Sequence, residues 1–408
     1  VVLAPDGTVS GERPAHLSDT RPPKAGSLRG LDTPLAPAIL IAIAYTIFSL
    51  LLLHARHDDV SLFVVAGGVN VDARKVPPDL TVIPNIGGYD GITFYRFALD
   101  PFTAARTKFG ITLDTPPYRN QRIAYPFIVW LLSLGHPSWV PALLVIVNVA
   151  AAAAMAAFGG AFSRRLGYHA LWGVIVPLYP GFLLTLSRDL AEIVASMFAM
   201  GAIWAISARR NLTAAILLTC AALTREPTLL LAFALAAAWL IERLLHRERR
   251  IAPVVFLAPI VIDVLWQTFL TARWGTSPLR SGTPAMALPF VEFARFFAAA
   301  VPRHIQQQRL YFLECLFLVS TVLTVVLMWR RTRTPLEWRF AWLGYLALAA
   351  ILPHTIWLED YGYLRIFSDL FVVSAALIIA STNSARWFAL VTAGGVWFYL
   401  ARILVKVG

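Results

Sequence analysis

Residues 85–101 read NIGGYDGITFYRFALDP, with one aspartate between Gly-Gly-Tyr and a glycine and a second acid ten residues later. Small neighbours let the backbone turn and let another molecule approach closely, so Asp90 is placed to act as a general base on a hydroxyl. The structural alternative is an Asx-turn, with Asp90 bonded to the backbone of Ile92. Asp100, in LDP, is a rival base that reads equally as a turn or helix start. Asp58 and Asp59, just after the first apolar run, are a second rival. Arginines recur beside acids at Arg122 in NQRIAYP, Arg188 in LSRDLAE, Arg225 in LTREPT and Arg365 in PHTIWLEDYGYLR. A guanidinium stays charged and binds phosphate oxygens as a fork, which suits a phosphate that gains charge as a bond to it breaks. Arg122, Arg188, Arg225, His354 and Arg365 are candidates to hold such a group. Tyr89, Tyr95, Asp189, Glu192, Glu226, Glu359, Asp360, Tyr361 and Tyr363 offer carboxylates and phenols to the hydroxyls of a substrate. Structural pairing within Arg188-Asp189 and Arg225-Glu226, and a helix-end role for His354, are the bland alternatives.

These groups are embedded in oil. The 408 residues are 58% hydrophobic and 14% charged, against roughly 25% charged in a soluble domain, and the mean hydropathy is +0.67. That composition belongs to an all-α polytopic membrane protein. The formal net charge of +12 would fit nucleic acid in a soluble chain, but in a membrane protein Lys and Arg collect in cytoplasmic loops. No nucleic-acid partner is expected. Cys220 and Cys315 both lie in apolar runs, which argues against a disulfide framework or a metal cluster. Residues 1–34 lack an apolar signal-peptide core and read as a polar, Pro-rich cytoplasmic tail.

A spanning helix needs about 20 apolar residues, and such runs occur near 36–54, 139–162, 168–186, 190–207, 211–223, 228–243, 251–272, 310–329, 339–353, 366–381 and 387–404. About eleven spans are expected, with 123–135 as a partly inserted juxtamembrane helix. With a cytoplasmic N-terminus, alternate loops carry Arg164 and Arg165, Arg209 and Arg210, ERLLHRERR, WRRTRTPLEWR and Arg386 on the inner side. The other side receives the long first loop 55–122, then LSRDLAE, LTREPT, the loop 273–309 and the loop 353–365. In 288–312, Phe290, Phe293, Phe296 and Phe297 recur at helical spacing, the pattern of an interfacial amphipathic helix that could border a prenyl groove. Two modules are expected, one over 35–245 that contains the outer loop 55–122 and a C-terminal one over 246–408.

The stretch GGYDGITFYRFALDP followed by YRNQRIAYPFIVWLLSLG resembles the first outer loop of GT-C superfamily glycosyltransferases, polytopic enzymes that move a sugar from a polyprenyl-phosphate carrier to an acceptor outside the cytoplasm. The closest likeness is to bacterial members. A more distant one is to the mannosyltransferases of glycosylphosphatidylinositol assembly, whose W-D-G-type stretch has Tyr89 in place of its tryptophan here. The order Arg-Arg-Leu-Gly, LSRDLAE, ARRN, LTREPTLL is also similar to that superfamily, so the likeness covers roughly 35–245. It implies that Asp90 deprotonates the acceptor as its oxygen attacks the anomeric carbon in line, inverting configuration. It further implies a polyprenyl-phosphate-linked sugar donor, a glycan or glycolipid acceptor, and a bacterial inner membrane with the site on the extracytoplasmic face. No Gly-rich phosphate loop or DxD motif is present, so no cofactor is indicated, though the acid pairs leave room for a divalent metal. The alternative class is a lipid-linked sugar or small-molecule transporter or flippase, favoured by the mid-span acids Asp263 and Glu314.

Overall fold

The computed structural model describes residues 29–246, 251–281, 286–300, 306–332 and 334–407. Most of the tail expected over 1–34 lies outside these residues, as do parts of ERLLHRERR and of the loop 273–309. Two short pairs of strands occur among them, β1 (Ala66–Gly67) parallel to β2 (Val82–Ile83) and β3 (Thr107–Lys108) antiparallel to β4 (Ile111–Thr112). Otherwise the regular structure is helical. The helices are α1 (Leu35–Ala55), α2 (Gly91–Leu99), α3 (Pro116–Asn120), α4 (Ala124–Ser133), α5 (Val140–Arg165), α6 (Gly181–Leu186), α7 (Glu192–Ser207) and α8 (Asn211–Thr224). They continue with α9 (Leu229–Leu244), α10 (Val254–Trp274), α11 (Pro278–Ser281), α12 (Val291–Ala300), α13 (Gln306–Met328), α14 (Leu336–Ala350), α15 (Asp360–Ile379) and α16 (Asn383–Val407).

Seven of the described helical segments are long and apolar enough to cross a membrane: Leu35–Ala55, Pro137–Arg165, Glu226–Leu244, Val254–Trp274, Gln307–Met328, Asp360–Ile379 and Asn383–Val407. α4, α7 and α8 are shorter apolar helices. The chain is thus an all-α protein built for a bilayer. In α1, Ile41, Tyr45, Phe48 and Leu52 form one buried stripe, and Tyr45 donates a hydrogen bond to the Pro177 carbonyl at 2.5 Å. The opposite stripe of α1, including Ile39, Ile43, Ile47 and Leu50, is exposed, as expected of a surface that lipid covers. α15 is instead buried along most of its length and forms the axis of the core.

The run 168–186, expected as one span, is not one helix. It forms a 3-10 helix over Ala170–Leu178 and then the short α6. Pro177 and Pro180 supply no backbone N–H and disfavour a continuous α-helix through 176–180. The 3-10 segment packs closely on α5. A Cβ at Gly173 would fall inside the backbone of Gly160 and against the Ala156 carbonyl, and small residues serve such backbone approach in membrane helices.

Contacts sort the helix termini into two ends. At one end Arg164 faces Asp32 at 3.8 Å, Arg165 donates to the Ser207 carbonyl, Trp172 meets Trp387, and Arg386 lies over the Tyr168 ring. At the other end the first loop meets the starts of α7 and α15 and the end of α8. The C-terminal turns of α16 reach that second end too, since Leu404 and Val407 share a cavity with Glu359 and Asp360.

Gly173→Ala should destabilise the fold by about 1–3 kcal/mol, the usual cost of overpacking. It would appear as a lower thermal midpoint in detergent. Gly344→Ala, on a helix face with nothing within 4 Å of the added carbon, should not lower it.

Candidate functional site

Asp90 ends the loop that leads into α2. Its carboxylate makes no capping bond to the helix, and Ile92 donates instead to the Tyr89 carbonyl, so the Asx-turn is not formed. The side chain is held from two sides by cations. Arg119 of α3 contacts Oδ1 at 2.5 Å, and Arg365 of α15 contacts Oδ2 at 2.9 Å, while the carboxylate keeps 20% exposure. Gly91 makes this placement feasible. A Cβ there would run into the Arg188 carbonyl and lie 2.7 Å from that of Val64, so a side chain after Asp90 would push the loop off LSRDLAE.

Each arginine is shared with further acids. Arg119 is bidentate to Asp114, with Nε–Oδ1 at 2.9 Å and Nη2–Oδ2 at 2.8 Å. Arg365 reaches Glu192 at the start of α7 at 2.7 Å and accepts Tyr89 as a partner, donating to its hydroxyl at 3.3 Å. Glu192 also lies 3.6 Å from Arg225, whose Nη1 contacts Asp369 at 3.2 Å and donates to Ser368 at 3.0 Å. Arg122, three residues after Arg119, is bidentate to Glu226 at 3.0 and 2.6 Å and donates to the Tyr118 hydroxyl. Arg188 sits 3.5 Å from the Tyr361 ring centroid and 5.4 Å from that of Tyr89, and its Nε is buried without a hydrogen-bond partner.

Burial alone would raise the Asp90 carboxyl, but Arg365, Arg119 and Arg122 outweigh it and hold the group well below the ordinary carboxylate range. Hydrogen bonds from Arg119 lower Asp114 to about 2. The Tyr89 phenol is pushed up to about 12, by burial first, with Arg365 opposing. Asp189 behaves differently. It is buried at φ +50°, neither carboxylate oxygen has a hydrogen-bond partner, and burial lifts its carboxyl well above the ordinary value despite Arg56.

Of the residues singled out from sequence, Asp90, Tyr89, Arg122, Arg188, Arg225, Arg365, Glu192, Glu226 and Tyr361 are brought together here. Several others are not. Asp59 caps a 3-10 helix by accepting from the Ser61 N–H and also accepts from the Thr81 hydroxyl, and Asp58 is exposed beside His54. Asp100 closes α2, accepting from the Phe102 N–H and pairing with Lys108. His354 is exposed and pairs with Glu292 of α12 at 3.2 Å. Tyr95 is buried in α2, and Tyr363 is buried against Trp357 with its hydroxyl on Glu314. Glu359 is exposed, and Asp360 starts α15. Sequence reading passed over Arg119, Asp114 and Asp369. Spacing marks two of them: Arg119 is one helical turn before Arg122, and Asp369 is one turn after Arg365. Among the described residues, no group of three or more His, Cys, Asp or Glu is placed to hold a metal ion.

A cavity of about 310 Å³ opens beside the cluster, with Tyr118, Arg122, Arg225 and Glu226 on one wall and apolar residues such as Leu348 and Ile366 on the other. An apolar cavity between α12, α13, α14 and α15, lined by Phe293, Trp357 and Phe367, borders the neighbouring face of α14. Compared with protein-family models, curated proteins and solved structures, the chain matches none of them.

Because Asp90 and Asp114 bind protons less tightly when folded, their stabilisation is complete above the ordinary value of 3.8 and is lost as pH falls through the lowered folded values. The thermal midpoint should therefore drop as pH falls below about 4. The drop should be shallower in Asp114→Asn, measured by the same melt at each pH.

Proposed function

We propose that the chain is a GT-C-type inverting glycosyltransferase that moves a hexose or pentose from a polyprenyl-phosphate carrier to an acceptor hydroxyl. The observation that carries this reading is Asp90, a partly exposed carboxylate free of any capping duty, set among arginines at the end of a membrane-embedded bundle. Asp90 accepts the proton of the acceptor hydroxyl. The hydroxyl oxygen forms its bond to the anomeric carbon from the face opposite the phosphate, and the bond from that carbon to the phosphate oxygen breaks. Its electron pair leaves with the polyprenyl phosphate.

Several features support the assignment of parts. The cavity beside Arg122 and Arg225 lies in the roughly 300–1,000 Å³ range of ligand sites, and it combines guanidinium groups with an apolar wall, as a prenyl phosphate requires. Arg188 is a further phosphate ligand: among the described residues it stacks on tyrosines and makes no carboxylate pair. The end of the bundle holding Arg164, Arg165, Arg209, Arg210 and Arg386 is cytoplasmic by the positive-inside rule, which sets Asp90 on the extracytoplasmic side. About eleven crossings, counting the shorter α7, α8 and α14 and the broken segment 168–186, complete this topology in a bacterial inner membrane.

One observation favours transport instead. Glu314 is fully buried within α13 and is bonded by Tyr363, as a carrier's coupling acid would be.

Purified protein given radiolabelled polyprenyl-phosphate sugars and a lipid extract separates the two. Asp90→Asn should lose at least about a hundredfold in transfer, within the range of general-base contributions, while remaining folded and still binding donor, its thermal midpoint lowered by the loss of its two ion pairs. Arg122→Gln should weaken donor binding. Transfer by Asp90→Asn at the wild-type rate would remove Asp90 as the base. A wild type that binds and consumes no donor would bring the transport reading forward.

A further inference from the structure

A second cavity lies on the other side of the first turns of α15. It measures about 540 Å³, with Tyr311 of α13, Glu359, Asp360 and Tyr361 on one wall and Leu400 and Leu404 of α16 on the other. Its character is the reverse of the Arg122 cavity. Among the described residues that line it there is no Lys, Arg or His, the Arg188 guanidinium lying on the Tyr361 ring outside the lining. Glu314, one turn from Tyr311 along α13, is not among the lining residues; it is fully buried and its Oε1 has no hydrogen-bond partner.

This wall opposes an anionic headgroup by like charge. It favours hydroxyl donors, because ionised carboxylates only accept hydrogen bonds and two oxygens on each offer several sites. The α16 wall is aliphatic and runs from Val407 at the end of the bundle inward to Leu400, so a hydrocarbon chain can lie along it toward the bilayer interior. The two cavities approach Asp90 from different sides of one helix start. Tyr361, in this cavity, lies 5.8 Å from the Tyr89 ring, centroid to centroid, while Ile366, just over a turn later, lines the Arg122 cavity.

We propose that this second cavity is the acceptor subsite and takes a neutral, hydroxyl-bearing amphiphile, a glycosylated lipid presented from the bilayer. Its role as acceptor subsite rests on the transferase reading, whereas the ligand chemistry rests on the cavity alone. The opposed charges of the two cavities then sort the substrates: the phosphate-bearing donor is directed to the arginine side and the uncharged acceptor to the acid side. Misplaced binding is disfavoured by repulsion as well as by poorer contacts.

The test uses the full chain in phosphatidylcholine nanodiscs and an octyl glucoside carrying a diazirine in its chain, with labelled peptides mapped by mass spectrometry. Labelling should concentrate at 358–361 and 400–407 and be displaced by unlabelled octyl glucoside, but far less by octyl phosphate, octylamine or free glucose. Leu404→Trp, which fills the cavity and leaves its charges in place, should lower labelling at least fivefold at an unchanged thermal midpoint. So should the Glu359→Gln/Asp360→Asn pair. Labelling concentrated elsewhere, labelling unchanged in Leu404→Trp, or displacement led by octylamine, octyl phosphate or free glucose would overturn the proposal. Because no donor is needed, the two readings fail separately. A chain that labels here but consumes no donor loses the transferase reading and retains the amphiphile site. One that transfers sugar without labelling here loses the subsite.

Discussion

A charge at the end of an apolar bundle has to be answered by another charge, and the arrangement around Asp90 follows from that requirement. Asp90 is answered by Arg119 and Arg365, Arg119 by Asp114, Arg365 by Glu192, Glu192 by Arg225, and Arg225 by Asp369. The pairs join residues from the first loop, α3, α7, α8 and α15, which sequence separates by up to 279 positions between Asp90 and Asp369. Taking one partner away from such a pair leaves an uncompensated buried charge and typically costs about 3–5 kcal/mol. The network therefore does two things at once. It closes this end of the bundle, and it keeps an ionised carboxylate in a place where burial alone would neutralise it.

Backbone shape fixes where that carboxylate sits. Gly67 and Gly88 approach so closely that a Cβ on either would enter the other's backbone, and Gly88 holds φ at +74°. Gly91 meets the Arg188 carbonyl, and Gly362 meets the Ile356 carbonyl just before Tyr363 and Arg365. These contacts set the loop against LSRDLAE and set the first turn of α15 against its own approach. Tyr89, Tyr361 and Arg188 then fill the space between as a stack of rings and guanidinium. An arginine on aromatic faces keeps its charge without a carboxylate, which distinguishes Arg188 from its neighbours.

Much of this was legible in the sequence, for identifiable reasons. Apolar runs gave helix positions, because backbone in lipid has to satisfy its own hydrogen bonds. The exception, 168–186, carried its warning in Pro177 and Pro180. Arg122, Arg188, Arg225 and Arg365 stood out because charge is rare in such a chain, and the structure gathers all four around Asp90. What could not be read was partnership. Arg225 is beside Glu226 in sequence, yet it pairs with Glu192 and Asp369, while Glu226 pairs with Arg122. Adjacent residues on a chain point apart as often as together, so neighbouring charges are poor guides to ion pairs. Arg119 was overlooked for a related reason, lying in a polar stretch where an extra arginine is unremarkable until α3 turns it toward Asp90.

The same clamp that keeps Asp90 ionised also makes it a weak base, because its pairs stabilise the form without the proton. If the chain carries out the proposed transfer from a prenyl phosphate, the difficulty contains its own relief. The phosphate of the donor is a diester with one negative charge, and it gains a further oxygen charge as the sugar leaves. Over the same interval Asp90, as the proposed base, would go from one negative charge to none. Under that reading Arg119 and Arg365 would be released by one anion while another forms on the phosphate, and the total charge held by the arginine cluster would change little. A frame that needs little reorganisation during the step is the condition under which fixed charges lower a barrier most. A donor phosphate that drew on either arginine before the step would also raise the proton affinity of Asp90, so the base would strengthen only with donor in place. An arrangement of shared arginines, rather than one arginine for each acid, is what would allow the charge to move in this way.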